Sequence, residues 1–263
     1  VRRMSARDWA GRPLGERVVA YTETDAILYA LAVGAQADDL DLVFEDRLRV
    51  LPTFGLTLAQ WAPDVLSDAG AFDNRAVHGS QTLDVHRPLP RAGELRLAAR
   101  VGEVWDKGSA AIFEVIVECD EFTATWSLFA PGYGGFGGER GPGRPAPDSR
   151  PAGSISTVHT FPTQAALYRL TGDRHHIHVD PAASARIGQP KPILQGLCTI
   201  AATTLVLASE RGAHPADIAS LQGRFSGPVV PGDALEVESW GDGSFEVRRD
   251  DAPVISEGRA VFA

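Results

Sequence analysis

One short stretch of the chain, residues 168–178, carries a carboxylate and three imidazoles: Asp173, His175, His176 and His178. Asp173 and His178 are five residues apart, so across a tight turn both side chains can reach one water molecule, as proton transfer to and from a substrate requires. Asp also caps helices, and His in a helix-terminal loop is often merely solvated. On spacing alone, a capping or solvated role for these residues is the better interpretation. The choice between that role and catalysis depends on the rest of the sequence.

The composition is that of a globular protein. The 263 residues are 44% hydrophobic and 22% charged, and no apolar run reaches the roughly 18 to 20 residues of a membrane-spanning helix. The net charge of −9 disfavours nucleic acid as a partner, because neutralising phosphates takes a basic face. The basic N-terminal residues precede no apolar segment, so we expect no secretory signal and a cytoplasmic protein. Cys119 and Cys198 lack the spacing of a disulfide framework or a zinc site; they are expected to be buried thiols, and no metal is predicted.

A Gly/Pro-rich segment divides the chain into two halves of similar size. Thirteen of the twenty-three residues from 131 to 153 are Gly or Pro, which support neither a helix interior nor a central strand. We assign residues 1–130 to a first half, 131–155 to a linker and 156–263 to a second half. Both halves carry the same markers in the same order at nearly equal spacing, which indicates an internal duplication. These markers are Tyr29, Gly34, Gly55 and Pro88, then Tyr168, Gly172, Gly196 and Pro228.

Each half has the pattern of a buried helix followed by strands. Residues 53–67 and 193–209 are apolar nearly all round and long enough to form central helices. Alternating runs joined by short turns follow each helix and favour antiparallel pairing. These runs are 81–85, 95–104, 110–119 and 122–129, then 220–225, 235–240, 244–249 and 254–262. The predicted fold class is α+β, with a helix wrapped by a curved antiparallel sheet, twice.

The motifs in these elements occur in an order that is typical of one known family. In the first half they occupy residues 29–35, 50–54, 78–79, 88–93, 106–109 and 132–138; in the second, 164–173, 177–181, 191–194, 196–199, 224–225 and 228–232. Over about residues 8–262 the chain resembles the hydratase 2 family, the MaoC-like (R)-specific enoyl-CoA hydratases with a double hot-dog fold. It is most similar to the hydratase domain of peroxisomal multifunctional enzyme type 2.

The resemblance implies a reaction. The family adds water reversibly across the trans-2,3 double bond of an enoyl-CoA and gives a (3R)-hydroxyacyl-CoA. Asp173 and His178 would hold the reacting water and carry its protons, one as base and the other as acid. The backbone N–H of Gly196, at the start of the buried helix, would bind the thioester oxygen as it gains negative charge. Without the family, Gly196 would be interpreted as a glycine required for tight packing. No cofactor is implied, because CoA is part of the substrate.

Three residues at the implied site depart from the family pattern. His175 and His176 stand where the family has Asn and Pro, and Gln195 replaces the usual His before the helix glycine. His175 could take the Asn's place in the hydrogen-bond network, because a neutral imidazole offers one donor and one acceptor. These changes bear on rate and substrate and not on the fold.

The first half lacks the catalytic motif, which implies one site per chain. In the family the half without the motif accommodates the acyl tail, so the segment from Phe54 to Trp61 is expected to line the tail tunnel. Arg224 and Arg140, the latter in the loop 132–140, are candidates for binding CoA by position only, and a solvated role explains Arg140 equally well. Two fused hot-dog units mimic a homodimer, so the chain could act as a monomer or a homodimer.

Two other functions remain open at this point. A dehydratase acting on an acyl carrier protein thioester would use the same pair of residues and differ in surface recognition. A non-catalytic hot-dog subunit would bind a ligand or partner without hydration, and the histidine substitutions would mark that loss. The presence of both Asp173 and His178 favours the enzyme.

Overall fold

The computed structural model of the chain describes residues 4–143 and 150–263. Within them, ten strands form one continuous sheet in which every neighbouring pair is antiparallel. In chain order the strands β1 to β10 are Pro13–Tyr21, Val77–Val85, Gly93–Asp106, Ala110–Glu118, Phe122–Pro131, Ser154–His159, Ile218–Phe225, Ala234–Ser239, Ser244–Arg249 and Ala252–Phe262. The eight predicted strands are all present, in the predicted antiparallel arrangement.

The helices lie between the early strands of each half. In chain order the α-helices α1 to α7 are Glu23–Val33, Leu40–Val43, Phe54–Leu58, Trp61–Asp68, Gln164–Tyr168, Pro181–Arg186 and Gly196–Glu210. Short 3₁₀ turns occupy Ala6–Trp9, Glu45–Arg47, Arg169–Thr171, His176–His178 and Pro215–Asp217. The predicted helix over 193–209 is α7, which begins three residues later than expected and is buried on nearly every side.

The strand order of the sheet is symmetric. It runs β1-β3-β4-β5-β2 through the first half and β7-β10-β9-β8-β6 through the second, so each strand of one half has a counterpart at the same distance from the centre. The halves join where β2 pairs with β7, in the register Ser80 with Arg224 to Asp84 with Ser220. This seam, the β2–β7 pairing, relates two copies of one unit, and the α+β class is confirmed.

The first-half central helix is the clearest error of the sequence prediction. Residues 53–67 form two short helices, α3 and α4, with Ala59 and Gln60 between them. Pro63 provides the reason, because it has no N–H to donate to the carbonyl of Ala59, as a continuous helix would require. That carbonyl instead accepts the N–H of Ala62 at 3.1 Å, three residues later and not four.

Two edge strands were not predicted. β1 and β6 each end one side of the sheet. Most of their side chains are exposed on both faces, so the sequence lacks the apolar and polar alternation that marks a half-buried strand. Outermost strands contribute few side chains to the core, and hydrophobic periodicity therefore misses them.

The linker segment attaches to both halves. Between Pro131 and Ser154 the described residues form no helix or strand. On one side, the amides of Gly135 and Gly137 donate to the Asp106 carboxylate at the end of β3. On the other, Gly153 N–H donates to Glu238 Oε1 of β8 at 2.9 Å. Each end is therefore fixed to the half that it adjoins.

The core is continuous across the seam. Tyr29 of α1 and Tyr168 of α5, the two markers of the duplication, are both buried with ring centroids 5.9 Å apart. Cys198 is buried in α7, as expected, whereas Cys119 is only half-buried. No helix in the described part of the chain is long and apolar enough to cross a membrane.

Candidate active site

The turn that carries Asp173 follows α5 and one 3₁₀ turn. Gly172 ends the 3₁₀ turn Arg169–Thr171 and has a φ of 157°. A Cβ at position 172 would lie 2.6 Å from Thr57 Cγ2 of α3. Thr57 Oγ1 in turn hydrogen-bonds Tyr168 Oη at 3.1 Å. Thr57 of the first half therefore packs against the residues that precede Asp173, and only glycine at position 172 allows this close approach.

Asp173 and His178 face each other across this turn. Asp173 Oδ2 lies 3.7 Å from His178 Nε2, which is too long for a direct hydrogen bond. Both side chains are largely buried, with 17% and 9% of their surface exposed. The predicted proximity is present, and one water bonded to both atoms would bridge the gap.

The protonation of His178 follows from its surroundings. Its Nδ1 lies 2.7 Å from the carbonyl oxygen of Ile193. A carbonyl only accepts, so Nδ1 carries the proton and Nε2 keeps its lone pair in the neutral ring. Burial lowers the pKa of His178, and the negative charge of Asp173 partly offsets that effect. The neutral ring thus presents a proton acceptor toward Asp173.

His175 lies at the start of the 3₁₀ turn that carries His178. Its N–H donates to Asp173 Oδ1 at 3.2 Å, and its Nδ1 accepts the N–H of Ile177 at 3.5 Å, the position of a capping residue. Its ring centroid lies 6.2 Å from that of His178. His175 therefore performs the local capping that an Asn could perform, while His176 is exposed. A catalytic role for His175 stays a prediction.

Gly196 is the first residue of α7, three residues after Ile193. Its N–H has no acceptor within the helix, and the helix dipole favours an anion at this end. A Cβ at position 196 would lie 3.0 Å from two ring carbons of Phe225. Glycine is thus needed for packing, and the oxyanion role of its N–H stays a prediction.

The predicted tail-binding residues lie in two environments. Phe54 is 1% exposed and packs between Tyr21 and Tyr29, with centroids 5.4 and 4.9 Å away. Trp61 is half-buried, and the Arg17 guanidinium lies over its ring at 4.5 Å. Both flank the segment that contacts Gly172 through Thr57, so tail binding here stays a prediction.

Gln195 immediately precedes the α7 glycine and is 1% exposed. Its Nε2 donates to the Ala165 carbonyl at 3.2 Å. Its Oε1 is buried without a hydrogen-bond partner among the residues that the structure describes. A buried acceptor without a hydrogen-bond partner is energetically costly, and substrate binding by Gln195 stays a prediction.

The two predicted CoA-binding arginines differ in setting. Arg224 is exposed on β7, directly before Phe225. Arg140 is exposed in the glycine loop, whose amides from Gly135 and Gly137 donate to Asp106 at 2.8 Å each. A loop amide that already binds an internal carboxylate is not free for a phosphate. CoA binding by either arginine stays a prediction.

Asp64 on α4 was not singled out from the sequence. Desolvation by neighbouring groups, and then the charge of Asp173, raise the pKa of its carboxyl to about 6, even though the residue as a whole is exposed. Asp64 lies in the segment predicted as one helix, and that prediction did not indicate an interaction with Asp173. The first half thus adds a second carboxylate near the turn.

The two halves of the chain match two family models in sequence. Residues 19–129 match the MFE-2 hydratase 2 N-terminal domain, and residues 145–257 match the MaoC like domain. The chain belongs to the MaoC-like hydratase 2 family. Its members are hydro-lyases, and both the recognition and the enzyme class predicted from the sequence are confirmed.

Individual relatives are similar in sequence to this chain over most of its length. "Enoyl-CoA hydratase ChsH3" of Mycobacterium tuberculosis is 36% identical over 267 residues, covering 90% of this chain and 91% of the relative. The peroxisomal multifunctional enzyme type 2 of Mus musculus is 35% identical over 247 residues, covering 86% of this chain and 33% of that much longer protein. The crystal structure of a MaoC-like dehydratase from Phytophthora capsici superposes with a TM-score of 0.87 at 24% identity, covering 99% of this chain and 98% of that one. The double hot-dog fold is thereby confirmed.

Proposed function

We propose that this chain catalyses the reversible (R)-specific hydration of trans-2-enoyl-CoA thioesters to (3R)-hydroxyacyl-CoA. The observation that carries the proposal is the 3.7 Å distance between Asp173 Oδ2 and His178 Nε2, two largely buried side chains close to the first residue of α7. One water beside the pair can hydrogen-bond both atoms, and the N-terminal end of α7 can stabilise one developing oxyanion.

The water gives its oxygen to C3 and one proton to the pair. His178 Nε2 is the acceptor that the geometry favours, because Nδ1–H is fixed on the Ile193 carbonyl and the ring is neutral. Asp173 Oδ2 accepts the second O–H of the water and orients it. The pair then returns one proton to C2, so that addition of water consumes no net proton.

The thioester oxygen gains negative charge when the new C3–O bond forms. The Gly196 N–H donates to that oxygen, and the N-terminal end of α7 stabilises the charge. Loss of one donor of this kind typically costs about 100-fold to 1,000-fold in kcat. Gln195, with its unpaired Oε1, lies next to this site and accepts a donor from the substrate or its water.

The test is a stereochemical assay of the purified chain. Crotonyl-CoA, octenoyl-CoA and a bulkier enoyl-CoA are each supplied, and the hydroxyacyl products are resolved on a chiral column. We expect (3R) product, with the preferred tail length reporting on the segment from Phe54 to Trp61. A (3S) product would contradict the proposed arrangement.

The same assay separates the other functions. Faster turnover of the matching acyl carrier protein thioester than of the CoA thioester would favour a carrier-protein dehydratase with the same chemistry. Absence of turnover with every thioester, in a protein with a normal thermal unfolding transition, would favour a non-catalytic subunit.

A further inference from the structure

His78, in the first half, has no part in the reaction as proposed. It lies at the start of β2, on the strand that forms the seam between the halves. Its Nε2 lies 3.1 Å from the Ser80 carbonyl, so Nε2 carries the proton. Burial lowers the pKa of His78 to about 4, and the ring is neutral near pH 7.

The ring of His78 meets Phe225 across the seam. Ser80 pairs with Arg224, which brings the start of β2 beside the end of β7. The two ring centroids are 4.7 Å apart at an interplanar angle of 62°, an edge-to-face contact of the kind that aromatic rings favour. The first half thus fixes one side of Phe225.

The Phe225 ring also contacts Gly196. Two carbons of its ring would be 3.0 Å from a Cβ at that position, so the ring is in contact with the glycine itself. Gly196 begins α7, and its peptide has no side chain to limit its orientation. The position of the Phe225 ring therefore restricts the orientation of the Gly196 N–H.

We propose that His78 is a positioning residue for the oxyanion donor: its ring holds Phe225, and Phe225 holds the Gly196 peptide at the angle that the developing thioester oxyanion needs. This inference rests on the proposed function, because it concerns the same Gly196 N–H. The half without the catalytic motif thereby takes part in setting the rate. The contact depends on an aromatic ring and not on a charge or a free nitrogen.

The experiment compares three substitutions of His78 in the full chain, with crotonyl-CoA as substrate. His78→Ala and His78→Leu remove the ring, and we expect kcat to fall about tenfold with little change in KM, because a displaced donor weakens only transition-state binding. His78→Phe keeps an aromatic edge and should retain a rate close to wild type. His86→Ala is the matched control, since His86 is exposed just after the same strand and hydrogen-bonds Thr123.

A double-mutant cycle tests whether the effect passes through Phe225. Phe225→Leu should lower kcat at least as much as His78→Ala, and the double variant should be no slower than Phe225→Leu alone. Additive losses would overturn the inference, as would a His78→Phe enzyme as slow as His78→Ala. If His78→Ala fails to fold, His78→Leu, which keeps most of the volume, decides the outcome.

The inference and the proposed function fail in different ways. A wild-type chain that hydrates no enoyl thioester refutes the proposed function. A wild-type chain that hydrates crotonyl-CoA, with His78→Ala and His78→Leu at full kcat, refutes the role of His78 alone.

Discussion

Replacing Asp173 by Asn tests the shared-water arrangement most directly. Asn has the size of Asp, but it offers one acceptor oxygen and no charge. Asp173 uses Oδ1 to accept the His175 N–H and presents Oδ2 to His178 Nε2 at 3.7 Å. If the Asn oxygen keeps the His175 bond, its NH₂ group points toward Nε2. An amide donor would then occupy the lone pair that the water needs.

The expected decrease in kcat/KM follows from the role of Asp173 beside the reacting water. A positioned proton-transfer group contributes about 100-fold to 10,000-fold to the rate, so Asp173→Asn should lower kcat/KM by at least about 100-fold, equivalent to about 2.7 kcal/mol. The charge of Asp173 also raises the pKa of His178 against the effect of burial. Its removal should therefore lower the pKa of His178 further and move the acid limb of the residual activity to lower pH.

The assay follows loss of the enoyl thioester absorbance from acidic to mildly alkaline pH. Asp180→Asn is the matched control, because Asp180 caps α6 through the Ala182 N–H in the same segment and Asn is an equally good cap. We expect that variant to remain close to wild type. A folded Asp173→Asn enzyme with wild-type turnover would refute the shared-water reasoning, and an unmoved acid limb would refute the electrostatic part.

Four further outcomes are expected. His178→Ala should lower kcat/KM for an enoyl-CoA by at least about 100-fold in the same assay, because no other imidazole replaces Nε2; wild-type turnover would contradict this. Gly172→Ala should cost about 1 to 3 kcal/mol in chemical denaturation, because its Cβ would lie 2.6 Å from Thr57. Asp106→Asn should lower the Tm and speed protease cleavage of the loop 132–143, since three amides lose a carboxylate. His78 should make the free energy of unfolding fall by about 3 kcal/mol as pH drops from 6.5 to about 4, because the unfolded chain takes up the proton first; in chemical denaturation, His78→Phe should remove that pH-dependent loss.

The second-half site was predictable because its residues are close in sequence. Asp173 and His178 are separated by one turn, and the following helix is apolar on nearly every side, so periodicity located its start to within three residues. Short-range geometry of this kind follows from local rules. The motif order then supplied the fold as a whole.

Contacts made by the first half were not predictable in the same way. The break between α3 and α4 depends on Pro63, which a pattern of apolar residues does not reveal. Asp64 beside Asp173 and His78 beside Phe225 each join residues about 100 or more positions apart. The His78–Phe225 pair depends on the register of the β2–β7 seam, and a one-residue shift would turn every side chain of the strand to the other face.

The duplication also bears on the prediction of one site per chain. In the first half the N–H of Gly55 donates to the Pro52 carbonyl three residues earlier, at 3.0 Å, so this amide is not free for a substrate. In the second half the carbonyl three residues before Gly196 belongs to Ile193, and it accepts the Nδ1–H of His178 at 2.7 Å. One backbone carbonyl thus orients the proposed base beside the helix whose first N–H is the proposed oxyanion donor. The matching stretch of the first half, residues 34–39, contains no imidazole, so that half has neither the proposed base nor a free amide at Gly55.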